Sequence, residues 1–301
     1  MSQVEEATSD NQSMSANTIK TYVLLAALGG LLVLIGGGLY GGNGALIGLA
    51  IGLVFVGASY WFSDTIAIKA ARAQPVSERD APQLYRIMRE LTLAANMPMP
   101  RLYMTPDMQP NAFATGRNEK KAVVAVTQGL TELLSEDEMR GVLAHELAHV
   151  RNNDILIGSV AAAVAMGITF IARMAMWGAM FGGVGGRDDR GGGGLGLLFM
   201  ALLAPLAAFF LQAAVSRSRE FEADRSGAQL AGSGEGLARA LEKLHVATKR
   251  IPMQVHPAQA TMYIVNPLSG RQVNFAKMFL THPPVEERIS RLRGGRTVAL
   301  G

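Results

Sequence analysis

The chain has 301 residues, 49% of them hydrophobic and 17% charged, with a mean hydropathy of +0.21. Soluble domains carry about a quarter charged residues, so this composition excludes an ordinary cytosolic enzyme, and it is far too apolar for a disordered chain. The absence of cysteine excludes disulfides, thiolate metal sites and cysteine nucleophiles.

Residues 1–18, rich in Ser, Gln, Asn and Glu, are expected to form a disordered tail. Two uncharged apolar blocks follow, from about Tyr22 to Tyr40 and from about Ala45 to Phe62, separated by the short loop Gly41–Gly44. Each is close to the ~20 residues that cross a bilayer as a helix. Residues 19–62 therefore read as a transmembrane hairpin. The acidic run before them (Glu5, Glu6, Asp10) makes a poor signal-peptide start.

The remainder, residues 63–301, reads as one domain interrupted by two further apolar helices at about 155–181 and 195–215. Arg173 interrupts the first of these and would need a partner in lipid. The Gly-rich stretch 182–196 between them reads as a linker, since it has no preceding strand and no Walker lysine. Of the 28 Lys and Arg residues, 24 fall in 63–154 and 216–301. Positive residues stay on the cytoplasmic side, which puts both segments there, in a multi-pass protein of the inner membrane. Two spans and four spans both satisfy that distribution. With no recognition motif beside them, the basic residues do not point to nucleic acid.

Within 63–154, Leu84, Ile87, Met88, Leu91 and Leu93 predict an amphipathic helix over Gln83–Asn96, ended by Met97-Pro98-Met99-Pro100. Arg101–Met104, Asn111–Thr115 and Ala122–Thr127 predict three strands, the last two joined by the polar turn Arg117–Lys121, in a small antiparallel sheet. Ser135 with Glu138 predicts a capping box opening the next helix.

That helix carries His145-Glu146-Leu147-Ala148-His149. At about 100° per residue, His149 lies about 40° and Glu146 about 100° from His145, so all three share one arc. Two imidazoles one turn apart can hold one tetrahedral zinc, with Glu146 beside it as general base. The surrounding Ala144, Leu147, Ala148 and Val150 are apolar, and three titratable groups on so apolar a helix need a metal or partners. A catalytic zinc takes a third protein ligand and keeps one position open. Glu220 and Asp224, four apart in Ser216–Arg225, share a helix face. Either could ligate while the other receives a hydrogen bond from a ligand imidazole. Glu222 points elsewhere. His245 and His256 have no partner pattern and read as surface residues.

His-Glu-x-x-His followed by Glu-x-x-x-Asp after a pair of apolar helices resembles the HtpX-type membrane zinc metalloproteases, relatives of the CAAX prenyl proteases. Asn111–Gly116, His149-x4-Asp154 and Thr281-His282-Pro283-Pro284 with Glu287-Arg288 resemble further elements of that family. The resemblance implies a mainly α membrane protein with a zincin-like α+β catalytic domain behind the hairpin. It implies one Zn²⁺ per chain on His145, His149 and Glu220, with Glu146 as base and Asp224 orienting a ligand histidine. It also implies a substrate-binding edge strand at Asn111, Ala112, Phe113 and Ala114. His282 would lie near the scissile carbonyl, or else fix the turn before the last helix.

The expected function is an endopeptidase at the cytoplasmic face of the bilayer, acting on membrane-protein or peptide substrates. The resemblance adds quality control of misfolded membrane proteins, a stress-response role. Two alternatives stand beside it: a narrow-specificity peptidase that processes signal peptides or lipopeptide tails, and a non-proteolytic, zinc-stabilised membrane scaffold.

Overall fold

A computed structural model describes residues 60–158, 160–161, 217–250 and 283–294, with scattered helical positions between 19 and 58. The apolar stretches beyond residue 161, the Gly-rich segment, His256 and His282 lie outside the described residues, as does most of the predicted hairpin. Among the described residues no helix is long and apolar enough to cross a membrane.

The chain enters the sheet at β1 (Gln74–Pro75), a strand too short to leave a pattern in the sequence. Helix α1 (Pro82–Ala95) follows, with proline in its first turn, where the missing N–H is not needed. It buries Leu84, Ile87, Met88 and Leu91, the face predicted by their spacing, but Leu93, expected with them, lies off that face and is exposed. Asn96 ends it in the left-handed region at φ 52°, a conformation Asn tolerates better than most residues.

Strands β2 (Arg101–Thr105), β3 (Ala112–Thr115) and β4 (Val123–Thr127) come next, with a 3₁₀ turn at Glu119–Lys121 inside the β3–β4 connection. The sheet order is β1-β2-β4-β3. The expected antiparallel sheet is thus corrected to a mixed one: β1 pairs antiparallel to β2, β2 runs parallel to β4, and β3 pairs antiparallel to β4. The reason lies in the connections. The chain reverses after β2 to make β3 and reverses again into β4, so β4 regains the direction of β2 and docks on it. Every residue of β4 is buried, as fits a central strand covered on both faces.

Helix α2 (Gln128–Leu133) is capped by the Thr127 hydroxyl, which accepts from the Leu130 N–H. Helix α3 (Glu136–Arg151) opens with the predicted capping box, in which the Ser135 N–H donates to Glu138 at 2.8 Å. Beyond the undescribed stretch come α4 (Arg217–Ala231), α5 (Glu235–Arg250) and α6 (Val285–Leu292). Helix α3 lies at the centre. Its Met139, Val142, Leu143 and Leu147 meet Ile87, Met88 and Leu91 of α1 and Leu237, Leu241 and Leu244 of α5 in one core. The other face of the sheet is covered by Ile68, Ala71 and Ala73 against Phe113 and Ala125.

Candidate metal centre

Helix α3 is buried on nearly all sides from Gly141 to Val150 because helices and sheet surround it, and that buried stretch carries His145 and Glu146. Their position next to the α3–α4 contact explains how they are tolerated. The Nε2 atoms of His145 and His149 lie 3.2 Å apart, with the rings nearly perpendicular. The Glu220 carboxylate, from α4, reaches them with Oε1 3.6 Å from His149 Nε2 and Oε2 4.0 Å from His145 Nε2. One atom from each residue falls within 4.8 Å of the others. Donors held at ~2.0–2.1 Å around a tetrahedral zinc stand about 3.3 Å apart. The two imidazoles match that spacing and Glu220 stands slightly wide of it. Two neutral-capable nitrogens and one carboxylate are the donor set of a catalytic zinc site.

The second ring nitrogens are also engaged. His145 Nδ1 lies 3.0 Å from Asp224 Oδ1, and His149 Nδ1 lies 3.0 Å from Asp154 Oδ2. Asp154 follows the end of α3, where the chain turns through Asn152 and through Asn153 at φ 57°. Arg219 Nε approaches the other Asp154 oxygen at 3.6 Å. Arg288, from α6, is fully buried and donates to both oxygens of Asp224, Nε at 2.9 Å and Nη2 at 2.7 Å. Its Nη1 lies 3.6 Å from Glu220.

These contacts set the charges. Burial pulls the His149 pKa down, but the Asp154 hydrogen bond and the Glu220 and Glu146 charges outweigh it and hold the group at about 9. Burial pushes the Glu146 carboxyl up, and the neighbouring His145 and His149 only partly counter it. Burial also pushes Asp224 up, but Arg288 and His145 prevail and bring it down to about 2.

Strand β3 runs beside Glu146, whose carboxylate accepts a hydrogen bond from the Ala114 N–H. Ala112 and Ala114 face the helices, whereas the Phe113 side chain packs on the opposite side of the sheet with Ala73 and Ala125. Asn111 precedes the strand. Its N–H donates to Thr127 Oγ1 at 2.8 Å and its carbonyl accepts from the Thr127 N–H at 2.9 Å. His245, expected at the surface without a partner, is half-buried and faces Glu286 at 3.9 Å.

Gly227 is where the two ligand-bearing helices touch. A Cβ there would stand 2.9 Å from the His145 backbone, so only glycine lets α4 come this close to α3. Neither Gly227 nor the buried Arg288 was assigned a role from sequence. Each matters through a partner far away in the chain; a lone Gly in a helical stretch gives no signal of that, whereas Glu287-Arg288 after His282-Pro283-Pro284 marks Arg288 without giving it a role. For Asp154 the signal existed, as the spacing His149-x4-Asp154.

Two imidazoles one helical turn apart, an adjacent buried carboxylate and a third ligand from a second helix define a zinc metallopeptidase centre of the His-Glu-x-x-His class. The profile of Peptidase family M48 matches residues 78–296. A "Protease HtpX homolog" of Syntrophobacter fumaroxidans is 56% identical over 279 residues, 91% of this chain and 98% of that protein. One from Pelotomaculum thermopropionicum is 54% identical over 279 residues, 92% of this chain and 98% of that protein. The chain belongs to Peptidase family M48, among its HtpX protease homologs. In fold it is similar to the crystal structure of S. mikatae Ste24p, with a TM-score of 0.50 at 19% identity, covering 93% of this chain and 66% of that one. The substrates of a peptidase are proteins or peptides.

Proposed function

We propose that the protein is an endopeptidase seated in the inner membrane that cleaves membrane proteins at the cytoplasmic face, in the quality control of misfolded chains. The observation that carries the proteolytic part is the position of Glu146. It is buried one residue from His145, beside the point where His145, His149 and Glu220 converge, and it is tied to the edge strand through the Ala114 N–H. A structural zinc site has no use for such a group.

Zinc, when bound by His145, His149 and Glu220, supplies Lewis acidity toward the scissile carbonyl and makes water more acidic. Glu146 takes the proton from the attacking water as the C–O bond forms. It then delivers that proton to the leaving nitrogen as the C–N bond breaks. Asp224 and Asp154 hold the His145 and His149 rings with Nε2 turned inward. An extended substrate would add to the sheet along Ala112–Thr115, the edge beyond β4. In that arrangement the backbone of Asn111–Ala114 aligns the peptide, while the Phe113 side chain only anchors the strand. His282 would steady the oxyanion near the carbonyl.

Apolar blocks on either side of the cytoplasmic segments support the membrane setting, and α3 leads directly into one of them at Ile155. Replacing Glu146 with Gln tests the mechanism. Stoichiometric zinc should remain while kcat falls by roughly 10²-fold or more, the typical contribution of a positioned acid–base group. Undiminished cleavage by that variant would refute the assignment.

A further inference from the structure

We propose that the β3–β4 turn, together with Trp61, binds anionic phospholipid headgroups and thereby seats the active-site edge strand against the bilayer; this rests on the membrane reading given above. The turn reads Arg117-Asn118-Glu119-Lys120-Lys121. Lys120 and Lys121 are exposed, and Glu119 is the turn's single acid. The Arg117 guanidinium lies 5.3 Å from the centroid of the Trp61 ring, a cation–π contact.

Trp61 and Phe62 are 60% and 55% exposed and close the second apolar block. Leu46, Ile51, Leu53 and Val54 of the same block are exposed as well. Large apolar residues exposed in such number are not left facing water. Hydrocarbon covers it, and an aromatic residue at its end marks the headgroup level. Tyr60 packs against Trp61 at 5.3 Å between ring centroids, extending the aromatic band. Arg117, held against Trp61, therefore stands where lipid phosphates stand, and the exposed Lys120 and Lys121 follow it in the same turn. The cytoplasmic leaflet is negatively charged and attracts Lys and Arg within a Debye length.

The contact would reach the catalytic machinery through a stiff connection. Residues 60–70 continue as helix from the membrane end to the sheet. Arg101 donates to Asp64 at 2.9 Å, and Arg72 donates to Asp107 at 2.7 Å. Ile68 and Ala71 pack against Phe113 and Ala125. This helix thus fixes the height of the sheet, and β3 packs through Ala112 and Ala114 into the core built on α3, the helix that carries Glu146.

The test uses the full chain in lipid nanodiscs, with Trp177→Phe leaving Trp61 as the only tryptophan of the two. Phosphatidylglycerol or phosphatidylcholine carrying a nitroxide near the headgroup is added in trace amounts to phosphatidylcholine discs. The anionic label should quench Trp61 at least about twofold more strongly. The difference should vanish in Arg117→Gln/Lys120→Gln/Lys121→Gln and in about 1 M salt. With about one-third phosphatidylglycerol, the zinc-loaded protein should cleave an unstructured polypeptide several-fold faster than in phosphatidylcholine alone. The triple variant should bind zinc normally and match the parent in phosphatidylcholine, without that gain. Equal quenching by the two labels in the parent protein overturns the proposal whether or not the protein cleaves. Selective quenching with no cleavage in any lipid keeps the headgroup site and removes the proteolytic reading instead.

Discussion

Arg288 grips Asp224 through both carboxylate oxygens, at 2.9 and 2.7 Å, and the Oδ1 it holds lies 3.0 Å from the His145 ring. A guanidinium on the last helix therefore stands beside a metal ligand on the central one, both through a carboxylate of a third helix and directly, with its Nη2 3.3 Å from His145 Nε2. The pair is buried on every side. Such an arrangement is stable only when both charges are present, because either one alone is left in a low-dielectric interior.

Arg288→Met should therefore destabilise the protein by about 3–5 kcal/mol, the usual result of orphaning a buried charge. Zinc affinity should fall about 10–100-fold as His145 loses its orientation. The double variant Arg288→Met/Asp224→Leu should recover much of the stability but not the affinity. Thermal melts and chelator competition in detergent separate the two effects. If Arg288→Met binds zinc as tightly as the parent, Arg288 does not act through Asp224 on the metal site.

Zinc binding should release the proton that His149 holds in the metal-free protein. With that group at about 9, affinity should rise about tenfold per pH unit below this value from His149 alone. The sign for folding runs the other way. A raised His149 pKa stabilises the metal-free protein most below its ordinary value, and that contribution disappears as the pH rises through about 9. Asp154→Asn removes the main partner that raises the pKa, so its affinity should be lower at high pH and depend less steeply on pH. Zinc affinity that stays flat between about pH 6 and pH 8 would contradict this linkage.

Gly227→Ala places a methyl group 2.9 Å from the His145 backbone. Backbone cannot yield as a side-chain end can, so α4 must move outward and take Glu220 with it. We expect about 1–3 kcal/mol of lost stability and a larger proportional loss of zinc affinity than of fold. By contrast, Ala228→Gly on the same helix should weaken helix propensity by about 1 kcal/mol and leave zinc affinity intact. Equal zinc affinities in the two variants would show that the close approach does not set the ligand geometry.

Glu138 closes the capping box and accepts from Lys243 at 2.7 Å. Burial pushes its pKa up, but the Lys243 and Ser135 hydrogen bonds outweigh that and leave it below the ordinary value. A depressed carboxyl contributes stability above its unfolded pKa and loses that contribution as the pH falls through the folded one. Glu138→Gln keeps the cap chemistry but loses the charge, so it should be about 1 kcal/mol less stable at neutral pH. The gap should narrow below about pH 4. Melting curves of both proteins across this range provide the check, and a gap that widens in acid would reverse the assigned sign.

The amino-acid order alone determined the features that depend on neighbours within a turn or two. Helix α1 followed from its apolar spacing, the start of α3 from Ser135 and Glu138, β4 from a short β-branched run, and the His145–Glu146–His149 arc from helical geometry. The Glu220/Asp224 pair could be placed on one face, but only the resemblance chose which of them meets the metal. Tertiary structure decided the rest. It set the parallel β2–β4 pairing, because that follows from how two reversals bring strands together. It turned Phe113 away from the helices, carried Arg288 onto Asp224, and brought α4 against α3 at a single glycine. Periodicity reports which side of an element is apolar. It does not report which distant element will cover that side, since that choice is made by the close packing of the whole core.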